Sequence, residues 1–391
     1  MVGALPMRAL RTAAFVTIGF SSMALSASRA EAKECTNPLV NTCINADTLW
    51  PNPGPMRFTG VSGTETLAEG QVGFGLLATY LSRPVLLHVA SPGGEGTDQA
   101  VIDNQVNGNF LFAYGVTNRL QLDFALPLTF AQTGAGTSSL TGGRVLRDTA
   151  VRDIRFGFAY ALVPRLRMDP IQAANEGGAG KSYSVTARFQ VTAPTGDNTD
   201  FAGERTAVFV PDIAADYRID RLFIGASLGM RIRPVSEFAG ARIGTQLTTA
   251  AGVGFDILPK ELLAVMLEGR AYVNFPEQHR TSQSAFGIAS EPKTEDKTIV
   301  PAEWLLGVRS APILGGDVSF HAGGGGPIPL GPDAITVPRF RFILGATYAP
   351  TMRDSDGDGI PDKVDFCPNE KGVRGGERPG CPAPPPEARP Q

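Results

Sequence analysis

From about Leu67 to Pro350 the chain alternates between apolar and polar positions. Near its end, Phe340, Phe342, Leu344, Ala346 and Tyr348 fall on one face, and Arg339, Arg341, Ile343, Gly345 and Thr347 on the other. Leu120, Leu122, Phe124, Leu126 and Leu128 oppose Gln121, Asp123, Ala125 and Thr129 in the same way. So do Ile154, Phe156, Phe158 and Tyr160, set against Asp153, Arg155, Gly157 and Ala159. A period of two over eight or more residues defines strands with one apolar face. Twelve such segments are expected: 71–82, 105–116, 119–130, 153–163, 182–193, 211–219, 222–233, 245–257, 262–275, 303–311, 317–325 and 339–349. Each has about the nine to eleven residues a tilted strand needs to cross a bilayer. An even number of strands is the rule for bacterial outer-membrane barrels.

The connections alternate too. Short turns are expected at 117–118, 220–221, 259–260 and 313–316. Long connections fall at 83–104, 131–152, 194–210, 234–244, 276–302 and 326–338. Transmembrane barrels pair short periplasmic turns with longer outer loops. The stretch 164–181 breaks this order, being long on the short-turn side, and is expected to carry a short helix.

Alternation alone does not decide which face meets lipid, and a soluble β-sandwich shows the same pattern. The other face settles the preference. Arg188, Asp216, Arg218, Arg231, Arg233, Glu268, Arg270, Arg309 and Arg341 sit mid-strand on it, mixed with Gly and Ala. Such residues suit a polar barrel lumen. The expected fold is therefore all-β: a transmembrane antiparallel up-and-down β-barrel of about 12 strands, spanning 67–350. No segment beyond the N-terminus has the roughly 20 apolar residues of a spanning helix, so a barrel is the only membrane-crossing form open to the chain.

Composition narrows the function classes. The 391 residues carry a net charge of −3, which offers no pull toward nucleic acid. Charged residues make up only 19 %, against 46 Gly and 31 Pro, as suits a β protein rich in turns. Residues 1–32 read as a secretory signal: Arg8 and Arg11, an uncharged stretch from Thr12 to Ser28, then Ala30-Glu31-Ala32. An exported chain meets an oxidising compartment. Local pairing of Cys35 with Cys43 and Cys367 with Cys381 is the economical choice among three connectivities. The C-x-x-C spacings of a zinc site are absent. Residues 33–66 form a Pro- and Asn-rich lead with Trp50 between prolines. It is assigned to the periplasm as a cap, a plug or an arm.

The most definite chemistry lies at 354–365, D-S-D-G-D-G-I-P-D-K-V-D. Asp354, Asp356, Asp358, Asp362 and Asp365 occupy positions 1, 3, 5, 9 and 12 of a calcium loop. Gly359 takes the sharp-turn position and Ile360 offers its carbonyl. Asp365 stands where an EF-hand loop carries a bidentate glutamate. With the cysteines in F-C-P and G-C-P, the run (351–382) resembles a thrombospondin type 3 repeat. It resembles most the version between the barrel and the peptidoglycan-binding domain of bacterial OmpA-type proteins. That resemblance implies calcium on the aspartates and a Cys367–Cys381 disulfide. G-V-T-N-R-L-Q-L-D-F-A-L-P at 115–127, D-I-R-F-G at 153–157, T-A-P-T-G-D at 192–197 and I-L-G-A-T-Y-A-P at 343–350 are similar to barrels of the same family. The chain closes on a Pro-rich tail, 383–391, with no peptidoglycan-binding domain, so a wall-anchoring role is not carried over.

Catalytic signals are weak. His88, His279 and His321 lack metal-ligand spacing, and H-E-x-x-H is absent. Gly225-Ala226-Ser227-Leu228-Gly229 matches G-x-S-x-G but lies inside an expected strand, where a nucleophile elbow needs a sharp turn and a helix. No catalytic residue is assigned. The expected function is a porin-like or structural outer-membrane barrel with a periplasmic calcium-binding repeat. Its expected partners are outer-membrane lipid, small solutes in the lumen, and cell-wall or envelope proteins. Charges of both signs predict no strong ion selectivity. The competing readings are a specific solute transporter, a membrane-embedded lipid hydrolase and a secreted calcium-dependent adhesion protein.

Overall fold

In the computed structural model, twelve antiparallel strands close on themselves. The structure describes residues 35, 41–89, 97–138, 143–165, 182–238, 241–258, 262–276, 278–280, 293–295, 298–330, 336–351, 355, 356, 358, 360, 362, 365–372 and 378–382. The signal segment 1–32, the tail 383–391 and most of the irregular connection 164–181 lie outside them.

The barrel strands are β1 (Val72–Val89), β2 (Thr97–Gly115), β3 (Leu120–Thr133), β4 (Arg155–Val163), β5 (Tyr183–Thr192) and β6 (Phe209–Ile219). They continue as β7 (Leu222–Arg231), β8 (Gln246–Leu258), β9 (Leu263–Asn274), β10 (Ala302–Ile313), β11 (Val318–Pro327) and β12 (Phe340–Tyr348). Each pairs with its sequence neighbour. The seam closes where β12 pairs β1, from Phe74 opposite Tyr348 to Ser82 opposite Phe340. Closure removes both sheet edges.

The pleat sorts the side chains as the alternation implies. On β12, Phe342 and Leu344 face outward at 55 % and 67 % exposure, while Arg341 between them is 0 % exposed. Leu122 and Phe124 on β3, and Phe156, Phe158 and Tyr160 on β4, also point out. Arg188, Arg231, Arg233, Glu268, Arg270 and Arg309 are buried in the interior. An apolar outer band around a polar interior is the wall a bilayer requires.

One expected loop is largely strand. Residues 83–104, expected as a connection, instead extend β1 and β2, which stay paired out to Val89 and Thr97. Arg83 (φ 48°) and Pro84 form an irregularity in the register between Ser82 and Val85. That break in alternation hid the continuation. His88 is therefore on a strand, not in a loop. His279 sits in a short strand, Gln278–Arg280, paired to Lys293–Glu295.

The described part of the lead, from Asn41 on, runs inside the barrel from one end to the other. At the long-connection end Asn41 N donates to Glu237 O (2.8 Å) and Ala46 N to Phe201 O (2.9 Å). There Ile44 and Ala46 pack with Val85, Val101, Ile102, Leu146, Phe201, Phe238 and Ile243 into a buried apolar cap. At the short-turn end Leu67 packs on Ala113 and Ala349, and Gly70 N donates to Gly115 O. Between these ends its apolar side chains seat on the wall, Leu49 with Leu77, Leu305 and Ile343, Met56 with Leu111 and Ala125, and Phe58 and Val61 with Phe223, Ala264 and Met266. Its polar groups find partners on the inward face of the wall.

Candidate functional site

The lumen is where the side chains of the lead and the wall meet. Asp47 stands at its centre. Its carboxylate accepts from Arg341 Nη1 (2.8 Å), Arg152 Nη1 (3.2 Å), Asn107 Nδ2 (3.0 Å), Thr79 Oγ1 (3.2 Å) and its neighbour Leu49 N (3.0 Å). Burial alone would raise this carboxyl. The Arg341 and Arg152 guanidiniums override it and hold Asp47 well below the ordinary carboxylate range. Arg341 also reaches Glu303, Nε to Oε2 at 3.0 Å, and Arg270 Nη2 meets the same oxygen at 2.7 Å. The result is a buried chain of alternating charge, Arg152–Asp47–Arg341–Glu303–Arg270.

Further along, Glu268 on β9 accepts three successive backbone N–H groups of the lead: Thr59 (2.9 Å), Gly60 (2.6 Å) and Val61 (3.1 Å). Arg188 donates to Gly63 O (2.9 Å) and to Asp123 (3.0 Å). Gln121 accepts from Leu67 N (2.9 Å) and donates to Pro53 O (3.2 Å). Phe58 packs against the wall at Gly225 and Gly252. A Cβ on either would lie 2.8 Å or 2.7 Å from its ring, so these two positions need glycine for close approach. The wall thus makes its most specific contacts with the lead.

The inward arginines and Glu268 are legible from alternation; their partners are not. Asp47, Arg152 and Glu303 carry the network, yet a single aspartate in a polar lead has no pattern to mark it. Glu303 shares the inward face of β10 with Arg309, but nothing in the pattern marks it as the partner of Arg341.

The other expected groups separate cleanly. Both disulfides form, Cys35–Cys43 and Cys367–Cys381. In the aspartate loop, carboxylate oxygens of Asp356, Asp358 and Asp365 lie within 4.8 Å of one another. Asp362 turns instead to Ser355, accepting from its N and Oγ, both at 2.7 Å. Ile360 is buried, and its N donates to Asp358 (2.8 Å). Asp354 and Gly359 lie outside the described residues. Gly225 to Gly229 run along β7 with no turn, and Ser227 Oγ accepts from Ser62 N at 3.4 Å. His321 Nε2 lies 3.1 Å from Ser319 Oγ, but its Nδ1 has no partner among the described residues. The carboxylate that would orient a catalytic imidazole is missing there.

No protein-family profile and no curated protein matches the chain. Among solved structures it is similar to an outer-membrane channel from Pseudomonas putida F1, with 14 % identity and a TM-score of 0.47 over 73 % of this chain and 97 % of that one. It is also similar to the KdgM porin, with 6 % identity and a TM-score of 0.36 over 71 % and 99 %. The toluene transporter TodX of P. putida gives 10 % identity and a TM-score of 0.34 over 75 % and 95 %. The closed barrel of this chain stands on its own strand pairing.

Proposed function

We propose that this protein is an outer-membrane channel for small solutes, held shut by its own N-terminal segment. The carrying observation is the lead itself. Residues 41–66 run through a twelve-stranded lumen, hydrogen-bonded along its polar wall and seated on it by small apolar clusters around Leu49, Met56, Phe58 and Val61. A twelve-stranded barrel also encloses more room than an eight-stranded one, whose side chains fill it. Channels and a transporter among the similar structures agree with this reading. A purely structural barrel would have less need of a separate filling segment.

The test is planar-bilayer recording of the mature protein and of a variant lacking 41–66. Low or flickering conductance that rises on deletion supports the channel; no conductance in either leaves a structural envelope role. Cell fractionation checks the location, since a secreted adhesion protein would stay in the soluble fraction. Turnover of phospholipid by the purified protein would revive the hydrolase reading.

The aspartate loop is proposed as a periplasmic calcium site on the pattern of OmpA-type proteins. Asp354, Asp356, Asp358, Asp362, Asp365 and the Ile360 carbonyl would hold the ion. The hard oxygen donors of Asp356, Asp358 and Asp365, already clustered, fit Ca²⁺. Position 9, here Asp362, often reaches calcium through a water, and its turn toward Ser355 suits that role. Cell-wall or envelope proteins are the natural partners of this repeat.

A further inference from the structure

Between the lead and strands β5 to β9 lies a cavity of about 70 Å³. Trp50, Arg188, Asp212, Arg231, Arg270 and Tyr272 line it. Its charges are only partly paired. Arg188 pairs with Asp123 and Arg270 with Glu303. Arg231 has no carboxylate partner among the described residues. Its guanidinium is sandwiched instead, 3.9 Å from the Trp50 ring centroid and 4.7 Å from that of Tyr272. Nη2 donates to Thr48 O at 2.8 Å.

Three buried donors have no partner here: Arg231 Nε, Arg188 Nη2 and Arg270 Nε. One acceptor is equally unmet, Asp212 Oδ1. Leaving a buried polar atom unpaired is unfavourable, more so when it is charged. Among the described residues, what is left unpaired in the lining is thus one cation, Arg231, and one carboxylate, Asp212.

We propose that this cavity is a binding site for a small hydroxycarboxylate of the size of glycolate or lactate. The carboxylate would take the Arg231 guanidinium, and the hydroxyl would donate to the Asp212 carboxylate. A water needs about 10–15 Å³ of such space, so the volume suits roughly five heavy atoms. The rings of Trp50 and Tyr272 hold the Arg231 guanidinium in place for such an anion. Any role of the site in transport rests on the channel reading above; binding does not.

Trp50 reports on the site directly. The chain has two tryptophans, and Trp304 faces outward, so Trp304→Phe leaves one reporter. The protein is titrated in detergent with sodium glycolate to about 100 mM, since so small a ligand binds weakly. A saturable fluorescence change is expected with glycolate, a weaker affinity with acetate, and none with methyl glycolate or sodium chloride. Arg231→Gln should weaken glycolate at least tenfold, and Arg231→Lys should restore part of it. Asp212→Asn should shrink the preference for glycolate over acetate. Heat-modifiable migration confirms that each variant is folded, and the unaltered binding site is tested by the Trp304→Phe protein alone. No saturable change in that protein, or an unchanged affinity in folded Arg231→Gln, overturns the site. Saturable binding with no conductance in a bilayer overturns the channel and leaves the site standing.

Discussion

Arg341 donates to Asp47 across 294 residues of sequence, Nη1 to Oδ1 at 2.8 Å, with both side chains fully buried. This pair fixes the lead to the strand that closes the barrel. Removing one member of a buried pair typically costs about 3–5 kcal/mol, because the other is left uncompensated. Asp47→Ala takes from Arg152 its carboxylate partner and leaves Arg341 with Glu303 alone. We expect it to lower the temperature at which the barrel loses its folded gel mobility and to raise bilayer conductance. Unchanged values in both would show that the lead is held elsewhere.

Acid should not open the lumen under mild conditions. The Asp47 carboxyl is held below its ordinary value of 3.8 in the folded protein. A carboxyl so depressed gives stability that is present above 3.8 and lost only as pH falls through the lower folded value. Conductance is therefore expected to stay flat from pH 7 to about 4 as far as Asp47 controls it. A rise centred near pH 5 or 6 would place control with another group.

The seat of Phe58 offers a neutral way to loosen the lead. Gly252→Ala puts a methyl 2.7 Å from the Phe58 ring. Overpacking of this kind costs about 1–3 kcal/mol. In a Phe58→Ala background the same substitution should cost little. A double-mutant cycle on thermal stability measures the coupling; simple additivity would mean that the two do not meet.

The outer face is tested by charge. Leu344 is exposed at mid-strand, and Leu344→Arg there should destabilise the folded barrel by about 2–4 kcal/mol in lipid, while the same change near a strand end costs about 0–1. Urea titration in vesicles reads the difference. Equal, small costs at both depths would put this face in water.

Asp356→Ala with Asp358→Ala should abolish calcium binding by calorimetry and leave the barrel's heat-modifiable shift intact. Calcium uptake equal to that of the unaltered protein would remove the aspartates from the ligand set.

Most of the barrel was legible in the sequence because lipid and lumen impose a strict period of two. The inward Arg341 and the outward Phe342 announce themselves by alternation alone. The hairpin of β1 and β2 was read too short because Arg83-Pro84 breaks that period. The lumen was half legible. Arg188, Arg270 and Glu268 stand on readable strands, whereas Asp47 and Trp50 sit in a segment with no period at all. Their meaning is conferred by tertiary contact. Local pairing of the cysteines was readable from spacing, since each pair closes a ring of few residues.

The route of residues 41–66 constrains how the molecule is made. The first strand begins at one rim while Asn41 to Ala46, which precede it, lie at the other. A thread held at so many points along its length is seated most directly before the cylinder is finished. With residues 41–66 laid along the curling sheet when Phe74 meets Tyr348, the hoop zips shut around them.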